Sequence, residues 1–157
     1  IVLALCRARG FTLTAAESCT GGMVAERITS VSGASDVFAG SVVTYSNALK
    51  QHLLGVPDDL LERHGAVSAE VAAAMASGAR MHLAADVSVA VTGIAGPDGG
   101  TPEKPVGLVY LHAASPDGER ARELNLPGER EQIRRRSTVA ALHLLRAHLT
   151  RSRDKAV

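Results

Sequence analysis

The sequence predicts an α/β fold: a single layered domain with a mixed, mostly parallel sheet flanked by helices. Three observations carry that prediction. Short runs rich in Val, Thr and Ala alternate with stretches whose apolar residues recur at helical spacing. Glycine or proline marks most junctions between them. The pair Asp117-Gly118, between two strand-like runs, requires a tight antiparallel hairpin, so the sheet is not wholly parallel.

Residues 1–9 read as the end of a helix, stopped at Gly10 where a left-handed residue suits the cap. Residues 11–16 read as a strand that runs into Glu17-Ser18-Cys19-Thr20-Gly21-Gly22, followed by a helix over 23–30. Residues 41–45 are a second strand candidate. Ser46-Asn47 then cap a short helix carrying Leu49, Lys50, Leu53 and Leu54, which Gly55 ends. Pro57 suits a first helical position, with Asp58 and Asp59 favouring the dipole and Gly65 as the stop. Val67-Ser68 open a long Ala-rich helix that reaches about Ala84. Residues 86–92 alternate Val with small side chains, the pattern of a buried strand, and a loop with four glycines follows over 93–100. Residues 107–114 form a further strand and 122–126 an edge strand closed by Pro127. A last amphipathic helix covers about 129–148.

At 157 residues the chain has the size of one domain, and 46% apolar residues suffice for a packed core. Aromatics are only 3%, so that core is built from Ala, Val, Leu and Ile. A formal net charge of +1 gives no support for direct nucleic-acid binding. Cys6 and Cys19 make neither a disulfide framework nor a metal-ligand spacing, which fits a reducing, cytoplasmic setting. The six histidines are scattered, so no metal and no cofactor are expected. No apolar run is long enough to span a membrane. Residues 1–6 are too short and lack a basic leader, so they are read as something other than a signal peptide. The opening at Ile1 instead of Met is read as a trimmed start or a piece of a longer protein. One domain is expected over 1–157, with about 150–157 as a flexible tail.

Four stretches bear on chemistry. In Thr14-Ala15-Ala16-Glu17-Ser18-Cys19-Thr20-Gly21-Gly22, a hydroxyl at a strand-to-helix turn precedes N–H groups that can hold an anion or a developing oxyanion. The glycines let a ligand approach closely; the alternative is that Ser18 or Thr20 merely caps the helix. In Thr44-Tyr45-Ser46-Asn47-Ala48-Leu49-Lys50, Lys50 lies among leucines and can act as a base if burial lowers its pKa; otherwise it is an exposed lysine at a helix C-terminus. Thr92-Gly93-Ile94-Ala95-Gly96-Pro97-Asp98-Gly99-Gly100 lacks the Lys of a phosphate loop, yet its glycines offer N–H groups to a ligand, or form a plain surface connection. Arg130 and Arg134-Arg135-Arg136 suit phosphate recognition, or make a solvated face beside Glu129 and Glu131. Cys19 is an alternative nucleophile, though no His is placed to activate it.

These blocks, with His64-Gly65-Ala66-Val67-Ser68 and Lys104-Pro105-Val106-Gly107, resemble the C-terminal domain family of the competence/damage-inducible protein CinA over about Gly10 to Leu149. The resemblance implies a metal-free Ser/Lys amidohydrolase that converts nicotinamide mononucleotide and water to nicotinic acid mononucleotide and ammonia. On the matching positions Ser18 is then the nucleophile and Lys50 its base, with Thr20 and Tyr45 as polar helpers. Gly21, Gly22, Thr92, Gly93, Gly96 and Arg134 are the expected substrate contacts. The resemblance also allows a fused N-terminal molybdopterin-binding-like domain. The alternative role is a catalytically weak nucleotide-binding or protein-interaction module. A homo-oligomer is expected too, from the family and from the small-residue surface of the helix over 67–84.

Overall fold

A computed structural model describes residues 1–151. Helix α1 (Val2–Arg7) leads into strand β1 (Leu13–Glu17), helix α2 (Met23–Thr29), a 3₁₀ turn at Ala34–Asp36 and β2 (Phe38–Val43). Three helices follow, α3 (Asn47–Leu54), α4 (Asp58–His64) and α5 (Ala69–His82). The chain ends with β3 (Val87–Gly93), β4 (Leu108–Ser115), β5 (Gly118–Asn125) and α6 (Arg130–Arg151). From residue 152 on, the expected tail lies outside the described residues.

The five strands form one sheet in the order β2-β1-β3-β4-β5. β1 runs parallel to both β2 and β3, whereas β4 is antiparallel to β3 and β5. The sheet is therefore mixed, as expected, but evenly so and not mostly parallel. Connection length explains the difference. A parallel return needs a crossover, usually a helix, and residues 94–107 contain none. The chain leaving β3 can only turn back beside it, and the hairpin at Asp117-Gly118 repeats the reversal.

The alternation of Val with small residues in β3 separates two cores. Val87, Val89 and Val91 join Leu13, Ala15, Leu111 and Ala113 beneath α1, α2 and α6, where Cys6, Val24, Ile28, Ile133 and Leu145 complete the packing. Ala16, Ala90 and Ala114 face the other way, toward Leu54, Leu61, Val71, Met75 and Ala79 of α3, α4 and α5. Small side chains on that face let α5 settle close to the sheet, and the Ser88 hydroxyl donates to the Ala76 carbonyl at 2.8 Å. Val71, Ala72, Met75, Ala76, Gly78 and Ala79 of α5 are buried in this way. The buried small residues of this helix are thus taken up by the protein's own sheet and by α3, while Ala69 and Ser77 stay exposed.

Several boundaries differ from the expected ones for local reasons. β2 begins at Phe38 because Phe38 and Gly40 pair with β1 across a register shift at Leu13/Thr14, an irregularity that breaks the alternation. It ends at Val43, which leaves Thr44 and Tyr45 in the following loop. β5 starts at the hairpin itself; its mostly exposed residues Glu119, Arg120 and Arg122 hide it as an edge strand. Pro57 is the cap of α4, one position before the expected one, and Asp58 and Asp59 do occupy the first turn.

Gly78 offers a test of the close α5–α3 approach. A Cβ at this position would stand 1.9 Å from the Leu54 carbonyl oxygen. In an open helix Gly→Ala stabilises by up to about 1 kcal/mol. Here Gly78→Ala is expected to destabilise by about 1–3 kcal/mol through overpacking, measured by chemical denaturation.

Candidate active site

Three strand ends converge at one edge of the sheet. Ser18 follows β1, Thr44 and Tyr45 follow β2, and Thr92 and Gly93 close β3. β1 lies between the other two, and its register places Glu17 opposite both Val43 and Val91. The link from β1 to β2 runs through α2 on one face, and that from β2 to β3 through α3 to α5 on the other. Such a switch point opens a crevice at the carboxyl ends of the strands. Ser18 is pinned inside it by its N–H to the Val91 carbonyl at 3.0 Å, while the Thr44 N–H donates to the Glu17 carbonyl at 2.8 Å.

The turn carrying Ser18 is fixed by two charged side chains. Glu17, fully buried, accepts from the Thr20 hydroxyl at 2.7 Å and from the Gly22, Val24 and Ala25 N–H groups at 3.0, 3.0 and 2.9 Å. The Ser41 hydroxyl adds a contact at 3.3 Å. A carboxylate from the preceding strand thus caps α2, where negative charge suits the dipole. Gly22, with φ of 99°, supplies the left-handed residue at the cap. From α6, Arg134 donates to the Cys19 and Thr20 carbonyls at 3.0 and 2.9 Å.

Lys50 comes from α3, whose start is capped by the Ser46 hydroxyl accepting from the Leu49 N–H. Helical spacing puts Lys50 and Leu54 on the inward face, and Lys50 is only 1% exposed. Leu49 and Leu53, expected to surround it, are on the outer face at 40% and 39% exposure. The Nζ of Lys50 lies 3.2 Å from Ser18 Oγ and donates to the Thr44 carbonyl at 2.8 Å. No carboxylate pairs with it among the described residues. Burial therefore holds its pKa below the ordinary 10.5, outweighing the neighbouring Cys19, which acts in the opposite direction. A neutral amine satisfies both contacts at once, one N–H on Thr44 and the lone pair toward the Ser18 hydroxyl. The Cys19 thiol is pushed up to about 11 by burial, so it stays protonated and is a poor nucleophile.

Ser18, Cys19, Tyr45, Lys50, Thr92 and Arg130 line a cavity of about 260 Å³ with Ala66, Val67 and the 93–99 loop, Gly93 and Gly96 included. Thr92 donates to the Ala66 carbonyl at 2.7 Å, and Lys104 holds the same wall through the His64 and Val67 carbonyls. Tyr45 is 60% exposed and accepts from Arg130 at 3.0 Å. The remaining expected contacts stand outside the cavity. Thr20 is turned to Glu17, Gly21 and Gly22 form the turn below it, and Arg134 is engaged on the turn's carbonyls. Glu17 and the wall-fixing part of Lys104 went unassigned in the sequence. A lone acid at the end of an apolar strand, just before a Gly-Gly helix start, was the available signal for Glu17.

The family model for the CinA C-terminal domain matches residues 1–149. The chain belongs to the CinA C-terminal domain family. It is 52% identical over 157 residues to a CinA-like protein of Geotalea uraniireducens, covering 100% of this chain and 37% of that relative. The chain thus spans little more than a third of that longer protein. Among solved structures, the competence/damage inducible protein CihA of Agrobacterium tumefaciens superposes with a TM-score of 0.88 at 40% identity, covering 95% of each chain. A CinA superfamily protein from Klebsiella pneumoniae gives 0.91 at 30% identity, over 96% of this chain and 94% of that one. Among the described residues no helix is long and apolar enough to cross a membrane.

Two stability measurements test this account of the CinA-type site. Glu17→Ala strands several donors at once and is expected to lower stability by on the order of 3 kcal/mol, read from urea unfolding. Lys50→Met should be more stable than the parent at neutral pH. The lowered folded pKa means that the unfolded chain binds more protons, so parental stability rises with pH from the folded pKa up to about 10.5. The variant's advantage should shrink across that window and level off above it, in melting curves taken against pH.

Proposed function

We propose that this site hydrolyses a carboxamide, that of nicotinamide mononucleotide, to give nicotinic acid mononucleotide and ammonia. The observation that carries the reading is the 3.2 Å approach of a buried, carboxylate-free Lys50 amine to the Ser18 hydroxyl. The CinA-family motifs supply the substrate. Neutral Lys50 takes the Ser18 proton as Oγ attacks the carboxamide carbon. The N–H groups of Gly21, Gly22, Met23, Val24 and Ala25 are already bonded within the protein. That of Thr20 has no such bond among the described residues, and that of Cys19, next to the nucleophile, faces only its own thiol, so these two are the donors assigned to the oxyanion. Lys50, now charged, returns its proton to the departing nitrogen and ammonia leaves. The same amine then draws a proton from water, which attacks the acyl-serine, frees the carboxylate product and restores Ser18.

A lysine base requires its own charge to be lost, which separates it from an electrostatic anchor. Ammonia release should rise with pH along one limb that lies below 10.5, since burial lowers the Lys50 pKa. Ser18→Ala and Lys50→Arg should each lose roughly 10³-fold or more in turnover, the second because a guanidinium stays protonated. Cys19→Ala should retain most activity. Near-parental turnover in Lys50→Arg would show that the site needs positive charge and not proton abstraction. If parental protein released no ammonia from the nucleotide, the nucleotide-binding reading would take its place.

A further inference from the structure

The catalytic cavity, about 260 Å³, falls just below the roughly 300–1,000 Å³ of sites that enclose a whole small ligand. It suits a carboxamide-bearing ring better than a complete nucleotide. Beside it lies a second cavity of about 760 Å³, bordered by Pro97, Val106, Glu129 and Arg134. Ala95 and Arg130 line both. We propose that the two cavities are lobes of one substrate site, and that Arg130 on their shared wall recognises an anionic group of the substrate, a phosphate monoester. This rests on the amidase reading and adds a specificity-determining residue to it.

Arg130 is suited to the role by what it does not contact. Its guanidinium donates to the Gly96 carbonyl at 2.7 Å and to the Tyr45 hydroxyl at 3.0 Å, both neutral oxygens. Neither it nor Arg134 belongs to an ion pair among the described residues. Arg134, however, is committed to the carbonyls of the Ser18 turn. The carboxylates around the lobes, Asp98, Glu129 and Glu131, belong like Arg130 to exposed residues; none is within ion-pair distance of Arg130, and Glu131 is paired with Arg135 at 2.7 Å. Arg130 therefore keeps a full charge and further N–H donors in a fork that matches phosphate oxygens. Its contacts with Gly96 and Tyr45 fix that fork between the reacting end of the substrate and the larger lobe.

The test measures binding in the Ser18→Ala background, chosen to suppress turnover, with nicotinamide mononucleotide and with its dephosphorylated nucleoside. Ser18→Ala is expected to bind the nucleotide at least about 10-fold more tightly than the nucleoside. Adding Arg130→Gln should weaken the nucleotide by about 10- to 100-fold and leave the nucleoside within about two-fold. Arg130→Lys should recover part of the loss, since it restores charge but not the fork. Equal losses for both ligands, or no loss for the nucleotide, would overturn the proposal and make Arg130 a fastener of Tyr45 and the loop. In the parent, ammonia release with no preference for the phosphorylated form would sink Arg130 recognition while sparing the Ser18/Lys50 reading. Phosphate-dependent binding without ammonia release would do the reverse.

Discussion

A buried carboxylate with no cation on it holds this site in shape. Glu17 takes its hydrogen bonds from the backbone and hydroxyls of the next few residues and from Ser41 of the edge strand. Charge buried in this manner persists only where the surrounding donors are fixed in number and direction. The requirement acts in both directions. The donors keep Glu17 tolerable, and Glu17 forces the chain into a tight turn directly after Ser18. Arg134 then completes the constraint from the far helix by holding the carbonyls of the same turn. The backbone that carries the Ser18 hydroxyl has little conformational freedom left, which is what the proposed role as a nucleophile would require.

The same placement sets the state of Lys50. A lysine facing solvent keeps its proton, and a lysine beside a carboxylate keeps it more firmly still. Glu17 adjoins Ser18 in the chain but has its oxygens engaged by other donors, so among the described residues Lys50 bonds a hydroxyl and a carbonyl. Two ionisable groups lie buried close to one turn without forming a pair. One serves as a structural anion and the other is driven toward neutrality, and the division of roles follows from which donors surround each.

Much of this was legible in the sequence. The strand-to-helix turn at Ser18, the caps at Ser46 and Ser68, the stop at Gly55 and the hairpin at Asp117-Gly118 all depend on local chemistry, and all are present. The sequence left Lys50 open between a buried base and an exposed lysine; of the leucines beside it, Leu54 shares its inward face while Leu49 and Leu53 are outward. What local reading missed depends on partners distant in the chain. Arg130 and Arg134 sit in one basic run, yet one turn of helix separates the residue that lines both cavities from the one whose guanidinium clamps the Ser18 turn. The strand directions beyond β3 depended on a connection without a helix. The small residues of α5 divide between an inner face packed on the sheet and α3 and exposed positions such as Ala69 and Ser77, a division that composition alone does not give.

Ser18 is carried by the sheet, Lys50 by the layer of helices on one side, and Arg130 and Arg134 by α6 on the other. No single layer contains a working subset of these groups. Detachment of either helical layer would take one of the charged groups away from Ser18 while most of the hydrogen-bonded sheet was still intact. Under the proposed activity, competence would therefore be a property of the whole cooperative unit, and inactivation by heat should follow the weaker of the two sheet faces, ahead of the loss of secondary structure as a whole.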